Sequence, residues 1–515
     1  MRSALQAPCR PDNFTGDSAF AEVPEHCSDW AAKEITLLEP ELQESTEESA
    51  APPQPRRNVL AGRLLGIRPD TALAKAVPWV QRGGFAILDQ GLISGSNFLA
   101  GILLARWLVP EQYGAYAVAF GFFVLISLVY QSLVLEPMAV FGGSSYRNCL
   151  RGYLGSLLWI HLALSVGMVA IFGISALVAK EFSHSSMLAG ALAGVTLTSP
   201  CVLLFWLARR TFYLELAASQ AALGAFVYSA LSVSGLFLLY RRGLLSPFTA
   251  FVLMAFAALG TAFYNLWRLR SQLHPGGSAP AVGESWRRHW GYGRWALAGC
   301  VANWIPAYIY YPLLSSFSSM AHSGQLRALM NFTLPVEQIK AALALLFLPY
   351  AARVRAQSGR SGVSSLSTRL TFGMLAMAGA YWAAILIFQH PIFRFLYSGR
   401  YSEVAHLLPA VAFGSLVWTA CFGPATALRA MESPASVFAA YALATGLSLL
   451  IGIPATWVFG VGGAVWGTNL ADVLSWVIVL TVLRNKVAGR VSGIERWFGW
   501  NRPGAQTLPE ELPAD

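Results

Sequence analysis

A series of twelve apolar runs, each about 20 residues long, constrains this chain more than any other feature. A helix of that length spans the roughly 30 Å of hydrocarbon in a bilayer. Hydrocarbon offers no partners to backbone polar groups, so such runs predict helices that satisfy their own hydrogen bonds. We therefore expect an all-α polytopic membrane protein with about twelve transmembrane helices. The runs cover residues 84–106, 114–135, 153–179, 187–208, 216–240, 246–268, 295–317, 326–350, 367–389, 404–428, 434–458 and 461–483.

The composition agrees with this interpretation. Of 515 residues, 55% are hydrophobic and only 12% are charged, and the mean hydropathy is +0.51. A soluble domain is about a quarter charged. The six cysteines are scattered, with no CxxC motif and no pairing with histidines. This pattern argues against a disulfide framework or a zinc site, and we expect neither a metal nor a cofactor.

The longest internal loop, residues 269–294, suggests the domain organisation. It contains the Gly/Pro/Ser-rich stretch HPGGSAPAVGESWRR and separates two predicted six-helix bundles, 83–268 and 295–484. Residues 1–75 precede the bundles, and 11 of the 26 acidic residues fall within the first 50 positions. We expect this extension to be disordered, with an amphipathic segment at its end. Residues 485–515 form a predicted cytoplasmic tail.

A faint internal repeat supports the division into two halves. The stretch WLVPEQYGAYAVAF (107–120) aligns with FSSMAHSGQLRALM (317–330) at an offset of 210 residues. The alignment pairs Gly114 with Gly324 and Ala117 with Arg327. Both stretches follow the first apolar run of a half, and many transporter folds are built from such repeats.

The basic residues between the runs predict the orientation. With the N-terminus inside, 25 lysine and arginine residues flank the runs on the inside and seven lie outside. Such a bias places both termini in the cytoplasm. The basic residues occupy short loops rather than one continuous stripe, so we expect no nucleic-acid partner.

Four charged residues lie well inside the runs: Asp89, Glu337, Lys340 and Asp472. Each costs about 2.5–3.5 kcal/mol near the bilayer centre, so each needs a partner or a wet cavity. Glu337 and Lys340 are three residues apart on a helix and can neutralise each other; the alternative is a cation lining a cavity. For Asp89 and Asp472, a packing role and a functional role remain equally open.

Further polar residues mark possible cavity walls. The seventh run has Tyr308 and Tyr311 near Pro306 and Pro312, and irregular helices are tolerated where they line a cavity. The sequence contains no GxSxG, HExxH or P-loop motif, which favours a transporter over an enzyme. The predicted cavity residues from the first, seventh and eighth runs are Asn97, Arg106, Tyr308, Tyr311, Arg327 and Asn331.

Three stretches resemble a known family. DQGLISGSNFLAGILLARWLVPEQYGAYAVAF, FRFLYSGRYSEVAHLLPAVAF and GIPATWVFGVGGAVWGTNLADVL are similar to the bacterial polysaccharide (O-antigen) flippases of the MOP superfamily, which are related to MATE exporters. The resemblance covers about residues 83–485. It implies two bundles in an inverted V that open alternately to each side of the bacterial inner membrane.

The resemblance also implies a cargo, an oligosaccharide linked to undecaprenyl diphosphate, for export of a surface or exo-polysaccharide. Lys340 and Arg327 would supply lumen cations for the diphosphate, while Asp89, Glu337 or Asp472 would take up a proton or cation. Membrane lipids and a polysaccharide polymerase or export complex are the implied partners.

Three alternatives remain open at this point. A MATE-like exporter of cationic molecules predicts a lumen dominated by acids, whereas basic residues here at least match them. A lipid II flippase usually has fourteen spans, against twelve predicted here. A membrane partner of a polysaccharide synthase complex would not transport anything itself.

Overall fold

The computed structural model describes residues 72–182, 185–272, 280–431 and 434–490, all of them helical or in the turns between helices. From Phe85 onward the chain forms one compact unit. The predicted extension up to residue 71, the middle of the loop at 273–279 and the tail beyond 490 lie outside the described residues. The six-plus-six division stays a prediction.

The helices of the first half follow one another with short turns. They are α1 (Ala72–Trp107), α2 (Pro110–Tyr130), a π-helical turn (Gln131–Leu135), α3 (Glu136–Gly143), α4 (Leu150–Phe182), α5 (Ser186–Leu214), α6 (Ala218–Arg241) and α7 (Pro247–Gln272).

The second half is more interrupted. Its helices are α8 (Val282–Tyr308), α9 (Tyr310–Phe317), α10 (Met320–Met330), α11 (Leu334–Ile387), α12 (Gln389–Tyr397), α13 (Leu408–Ala420), α14 (Phe422–Ala430), α15 (Pro434–Phe459) and α16 (Val461–Val487), with 3₁₀ turns at Asn331–Thr333 and Ser402–Leu407.

Ten helical segments among the described residues are long and apolar enough to cross a membrane. They correspond to ten of the twelve predicted runs and make the chain a multi-pass membrane protein. The seventh and eighth runs are instead interrupted, and each is divided between two helices. Pro306 and Pro312 flank the junction of α8 with α9, and the turn Asn331–Thr333 separates α10 from α11. Proline removes a backbone donor and clashes with the preceding turn, which explains the first interruption.

Within α11, Gly359 separates the eighth predicted run from the ninth. Its φ angle is 62° in an otherwise helical stretch of 54 residues. A straight helix of that length would be about 80 Å long, far more than a bilayer. Glycine adopts a positive φ at no steric cost, so it allows the chain to turn between two spans.

The predicted loop 269–294 is partly helical, because α8 begins at Val282. This part of α8 packs on the first half through His289. Its Nδ1 lies 2.9 Å from the carbonyl oxygen of Leu133, in the π-helical turn, and its Nε2 lies 2.5 Å from the Tyr153 hydroxyl. Burial lowers the pKa of His289, consistent with a neutral ring that donates from Nδ1 and accepts at Nε2.

A close contact between the two halves is the crossing of α2 and α10, at the glycines that the repeat aligns. A Cβ atom at Gly114 would collide with the carbonyl oxygen of Met320. A Cβ atom at Gly324 would lie 2.6 Å from the carbonyl oxygen of Pro110 and 3.0 Å from the nitrogen of Gly114. Met320 lies 210 residues after Pro110, so the contact is reciprocal, as in a two-fold symmetric interface.

A buried ion pair fastens α1 to α5. The Asp89 carboxylate is fully buried and accepts bonds of 2.5–2.9 Å from the Arg209 guanidinium. Tyr213 adds a hydroxyl donor. Three donor groups from two α5 side chains thus satisfy the carboxylate that the first run carries into the membrane.

We expect Gly114→Ala and Gly324→Ala each to lower the melting temperature of the purified protein. The added methyl group would push apart two backbones, and overpacking typically costs about 1–3 kcal/mol. Gly173→Ala in α4 is the matched control, because its Cβ would meet nothing within 4 Å. There the better helix propensity of alanine should leave the melting temperature unchanged or slightly higher. Equal melting temperatures for all three variants would contradict the tight crossing.

We expect Arg209→Ala to destabilise the protein far more than Arg210→Ala, its exposed neighbour. Removing one partner of a buried pair leaves an uncompensated charge and costs about 3–5 kcal/mol. Adding Asp89→Asn to Arg209→Ala should restore part of the loss, since the orphaned carboxylate is then gone. Denaturation of wild type, Arg210→Ala, the two single variants Asp89→Asn and Arg209→Ala, and their double variant measures this; strict additivity of the two substitutions would argue against the pair.

Candidate functional site

Among the described residues, two of the cavities between the helices are lined by predicted site residues. The first has a volume of about 450 Å³. Its walls come from α1, α2, α6 and α7 of the first half and from α8, α10 and α11 of the second. Arg327 is the one charged side chain among the described residues that line it. The polar and aromatic side chains on its walls are Ser94, Ser96, Asn97, Phe98, Tyr116, Phe120, Tyr228, Ser232, Tyr308 and Gln338.

The second cavity, of about 280 Å³, is formed by the second half. Its charged lining residues among those described are Glu337, Asp472 and, again, Arg327. Hydroxyl and amide groups of Ser415, Thr468, Asn469 and Ser475 add polar surface. Arg327, Tyr308 and Leu334 line both cavities, so these three residues form a common wall.

Arg327 is buried, with 8% of its surface exposed. It projects from α10, one turn after Gly324, and its guanidinium carbon lies 4.9 Å from the centre of the Phe120 ring. No carboxylate of the described residues forms an ion pair with it, and its Nε has no hydrogen-bond partner. Its electrostatic neighbours are aromatic hydroxyl groups, those of Tyr113, Tyr116, Tyr308 and Tyr311.

Glu337 and Lys340 pair as their spacing predicts, with 2.8 Å between Nζ and Oε1. The Lys340 ammonium also lies 5.1 Å from the centre of the Trp418 ring. Glu337 is the more exposed partner and faces the second cavity. Asp472 is close enough to both residues to interact electrostatically with them. Lys340 itself is not among the lining residues of either cavity.

Asn331 is buried at the junction of α10 with α11 and does not face either cavity. Its amide nitrogen donates to the Tyr113 hydroxyl at 2.9 Å and to the Tyr397 hydroxyl at 3.4 Å. Tyr113 belongs to α2 and Tyr397 to α12, so Asn331 joins three helices beside the glycine crossing. The Asn331 Oδ1 has no hydrogen-bond partner.

Arg106 ends α1 away from the cavities. Its guanidinium donates to the carbonyl oxygen of Phe395 in α12 at 2.9 Å. Arg400 makes a similar bond in return, to the carbonyl oxygen of Leu108. Next to it, burial raises the pKa of Tyr401. These contacts tie the end of α1 to the region around α12.

The structure therefore brings together only part of the predicted site. Asn97, Tyr308 and Arg327 line the first cavity; Tyr308, Tyr311, Arg327, Glu337 and Asp472 line the second. Asp89, Arg106, Asn331 and Lys340 lie outside both linings. Their predicted roles in transport stay predictions.

The sequence analysis did not predict several residues that make contacts in or near the candidate site. Arg209 was counted only as a loop charge, although its carboxylate partner Asp89 was recognised. Phe120 and Tyr116 lie beside Arg327, and the aromatic spacing in AYAVAF was the one available signal for them. Gln338 accepts a 2.7 Å hydrogen bond from the Ser94 hydroxyl in α1, which no local sequence pattern predicts. That bond links residues 244 positions apart in the chain.

No protein-family model matches the sequence, and no curated protein matches it. Solved structures do match. An inward-facing multidrug-resistance MATE transporter of the MOP superfamily superposes with a TM-score of 0.66 at 12% identity, over 78% of this chain and 98% of that one. The lipid II flippase MurJ in an inward closed conformation gives 0.62 at 14% identity, over 79% and 87%. An outward-facing MATE transporter gives 0.57 at 12% identity, over 80% and 96%.

These similarities confirm the predicted fold class. Over the residues described, the chain is an all-helical, multi-pass membrane protein with the fold shared by MATE transporters of the MOP superfamily and the lipid II flippase MurJ.

Proposed function

We propose that this protein moves an oligosaccharide linked to a polyprenyl diphosphate, such as undecaprenyl diphosphate, from the inner to the outer leaflet of a bacterial inner membrane. The two bundles would open alternately to each side of the membrane, and an ion gradient coupled to this cycle would supply the driving force. The observation that carries this proposal is Arg327, a buried guanidinium without a carboxylate partner among the described residues, which lines both cavities.

A buried charge is costly unless it is compensated. Aromatic rings and hydroxyl groups stabilise the Arg327 cation only in part, so an entering anion would supply the missing counter-charge. The planar guanidinium presents several donors that match the oxygens of a phosphate group. An anionic headgroup therefore suits the first cavity, whereas a cationic drug would be repelled by its one charge.

The remaining walls of the first cavity suit a sugar. Tyr116, Phe120, Tyr228 and Tyr308 offer aromatic faces, and Asn97 offers an amide. Aromatic rings can stack on the apolar faces of sugar rings, while hydroxyl and amide groups bind their hydroxyls. A volume of about 450 Å³ falls in the range of small-ligand sites, so it would hold a diphosphate with one or two sugars while the lipid chain stays in the bilayer.

The other predicted site residues have different roles in this proposal, or none. Lys340 is held by Glu337 and Trp418, so it would be a secondary cation after Arg327. Glu337 and Asp472 remain the candidates for taking up a proton or cation. Asp89 already has a cationic partner in Arg209 and lies outside both cavities, so it has no place in the proposed path.

A second candidate function, export of a cationic molecule, rests on the second cavity. Its lining includes the two carboxylates of Glu337 and Asp472, and the fold is shared with MATE transporters. Export of a cation would require the cargo to bind in the same cavity as the Arg327 guanidinium, whose positive charge repels a cation. Lipid II export is a variant of the main proposal with the same diphosphate chemistry.

We expect a deletion strain to accumulate its lipid-linked oligosaccharide on the cytoplasmic leaflet, and the wild-type gene to clear it. Arg327→Gln should slow clearance by about tenfold or more, because hydrogen bonds to a charged group contribute about 1.5–3 kcal/mol and 1.4 kcal/mol corresponds to tenfold. Lys340→Ala should have a smaller effect. Accessibility of the lipid-linked sugar to an external lectin or enzyme in spheroplasts measures the flipping.

Arg394→Gln, which alters an exposed arginine in α12, is the matched control and should clear the intermediate like wild type. Each variant is compared at equal membrane abundance. Normal turnover of the lipid-linked sugar in the deletion strain, together with increased drug sensitivity, would favour the exporter instead.

A further inference from the structure

Three arginines collect where α1 and α6 end. Both helices are long and apolar enough to cross a membrane, and their ends are neighbours, because the rings of Trp107 and Tyr240 stack with centroids 4.4 Å apart. Arg106 precedes this stack at the end of α1, and Arg241 and Arg242 follow it at the end of α6. All three are exposed. We call them the arginine patch, which lies at a membrane surface because both spans finish there.

The charge of the patch has no structural explanation among the described residues. The sequence places this end of both helices outside the cytoplasm, where basic residues are sparse in membrane proteins. The patch nevertheless supplies three of the seven basic residues counted there. None of the three forms an ion pair with a described residue. Arg106 donates to the Phe395 carbonyl oxygen, which leaves its positive charge without an anionic partner.

The patch also lies next to the first cavity. Leu104 of α1 and Leu236 of α6 line that cavity. Trp107 and Tyr240 follow these two residues by about one helical turn, so their ring stack lies between the cavity lining and the helix ends. An anion that leaves the cavity along α1 and α6 would therefore meet the arginine patch at the membrane surface.

Beside the patch, α6 offers an apolar surface to the lipid. Phe237 and Leu238 are exposed in its last turn, and Leu244 is exposed just after the helix. A ligand that fits both features has an anionic headgroup and a long hydrocarbon chain. Guanidinium groups bind phosphate oxygens through several donors at once, while the chain would lie along the apolar residues within the bilayer.

We propose that the arginine patch is a second binding site for the diphosphate headgroup of the lipid-linked cargo, occupied when the headgroup leaves the first cavity for the membrane surface. Anionic phospholipids share the phosphate chemistry. Three adjacent guanidinium groups beside the cavity favour a diphosphate, because it carries more negative charge than a phospholipid with one phosphate. This inference rests on the proposed function, since it takes the diphosphate lipid as the cargo.

The test uses purified full-length protein in lipid nanodiscs and a benzophenone analogue of farnesyl diphosphate as a photoreactive probe. After irradiation, mass spectrometry identifies the labelled peptides. We expect labelling at the end of α6, around Phe237 and Leu238, and an excess of farnesyl diphosphate should abolish it. Nanodiscs of phosphatidylcholine and nanodiscs that also contain anionic phosphatidylglycerol should give the same labelling.

Variants of the patch measure the contribution of its charge. The double variant Arg241→Gln, Arg242→Gln should lower the labelling of α6 about tenfold or more, because hydrogen bonds from charged groups to the phosphate are lost. The double variant Arg241→Lys, Arg242→Lys keeps the charge and should retain more of the labelling. Both positions are exposed, so we expect unchanged melting temperatures. Arg394→Gln, which changes an exposed arginine outside the patch, is the control and should be labelled like wild type.

The outcomes separate this inference from the proposed function. If the glutamine double variant is labelled like wild type, the apolar chain alone positions the probe and the inference is wrong. If phosphatidylglycerol removes the labelling, the patch binds ordinary phospholipid and the inference is also wrong. In both cases the proposed function is still decided by the flipping assay of Arg327→Gln. Labelling that depends on the patch, together with normal flipping by Arg327→Gln, would support a lipid-diphosphate site and contradict the proposed path through the first cavity.

Discussion

The structure depends on the backbone contact of α2 with α10 at Gly114 and Gly324. In a bilayer, apolar side chains gain no hydrophobic free energy when they move from lipid to a helix interface. Helices there associate through close packing, which small residues allow. Here each glycine lies against the backbone of the other half, at Met320 and Pro110. The repeat relates these positions to one another. Each half therefore contributes a glycine and a backbone carbonyl to the same contact. The Asn331 amide, bound to Tyr113 beside the crossing, adds a polar link to this steric fit.

Charge balance is the second constraint, and it separates structural charges from functional ones. Asp89 with Arg209, and Glu337 with Lys340, form ion pairs whose partners are at most 2.8 Å apart at their closest atoms. Each pair offsets part of the cost of carrying a charge into the membrane. Arg327 and Asp472 are different, because neither has an ion pair among the described residues and both face a cavity. The unbalanced charges, rather than the total number of charges, mark the site that we propose.

The sequence predicted the helical membrane fold because a run of about 20 apolar residues has few alternatives in a bilayer. It also predicted the Glu337–Lys340 pair, since i, i+3 spacing is a local property of one helix. The sequence could not predict the Asp89–Arg209 pair, because that pair depends on how α1 and α5 pack. For the same reason the sequence could not predict that the side chains of Arg106 and Asn331 bond to the Phe395 carbonyl and the Tyr113 hydroxyl; their roles in the lumen stay predictions. The helical start of α8 at Val282 was missed because a Gly/Pro-rich stretch precedes it.

The repeat also explains why the proposed site has a single guanidinium. Arg327 follows Gly324 by three residues, so the glycine crossing fixes the position of its side chain beside Phe120 of α2. The position that the repeat relates to Arg327 is Ala117, a small residue that is 1% exposed. The two halves thus have similar backbone contacts at the crossing, but only the second half has a charged side chain at the related position. Since α2 supplies Gly114 and also Tyr113, Tyr116 and Phe120 beside Arg327, any separation of α2 from α10 would also open the surroundings of the cation. Under the proposed function, a change in the contact between the halves would therefore also change the affinity for the anion.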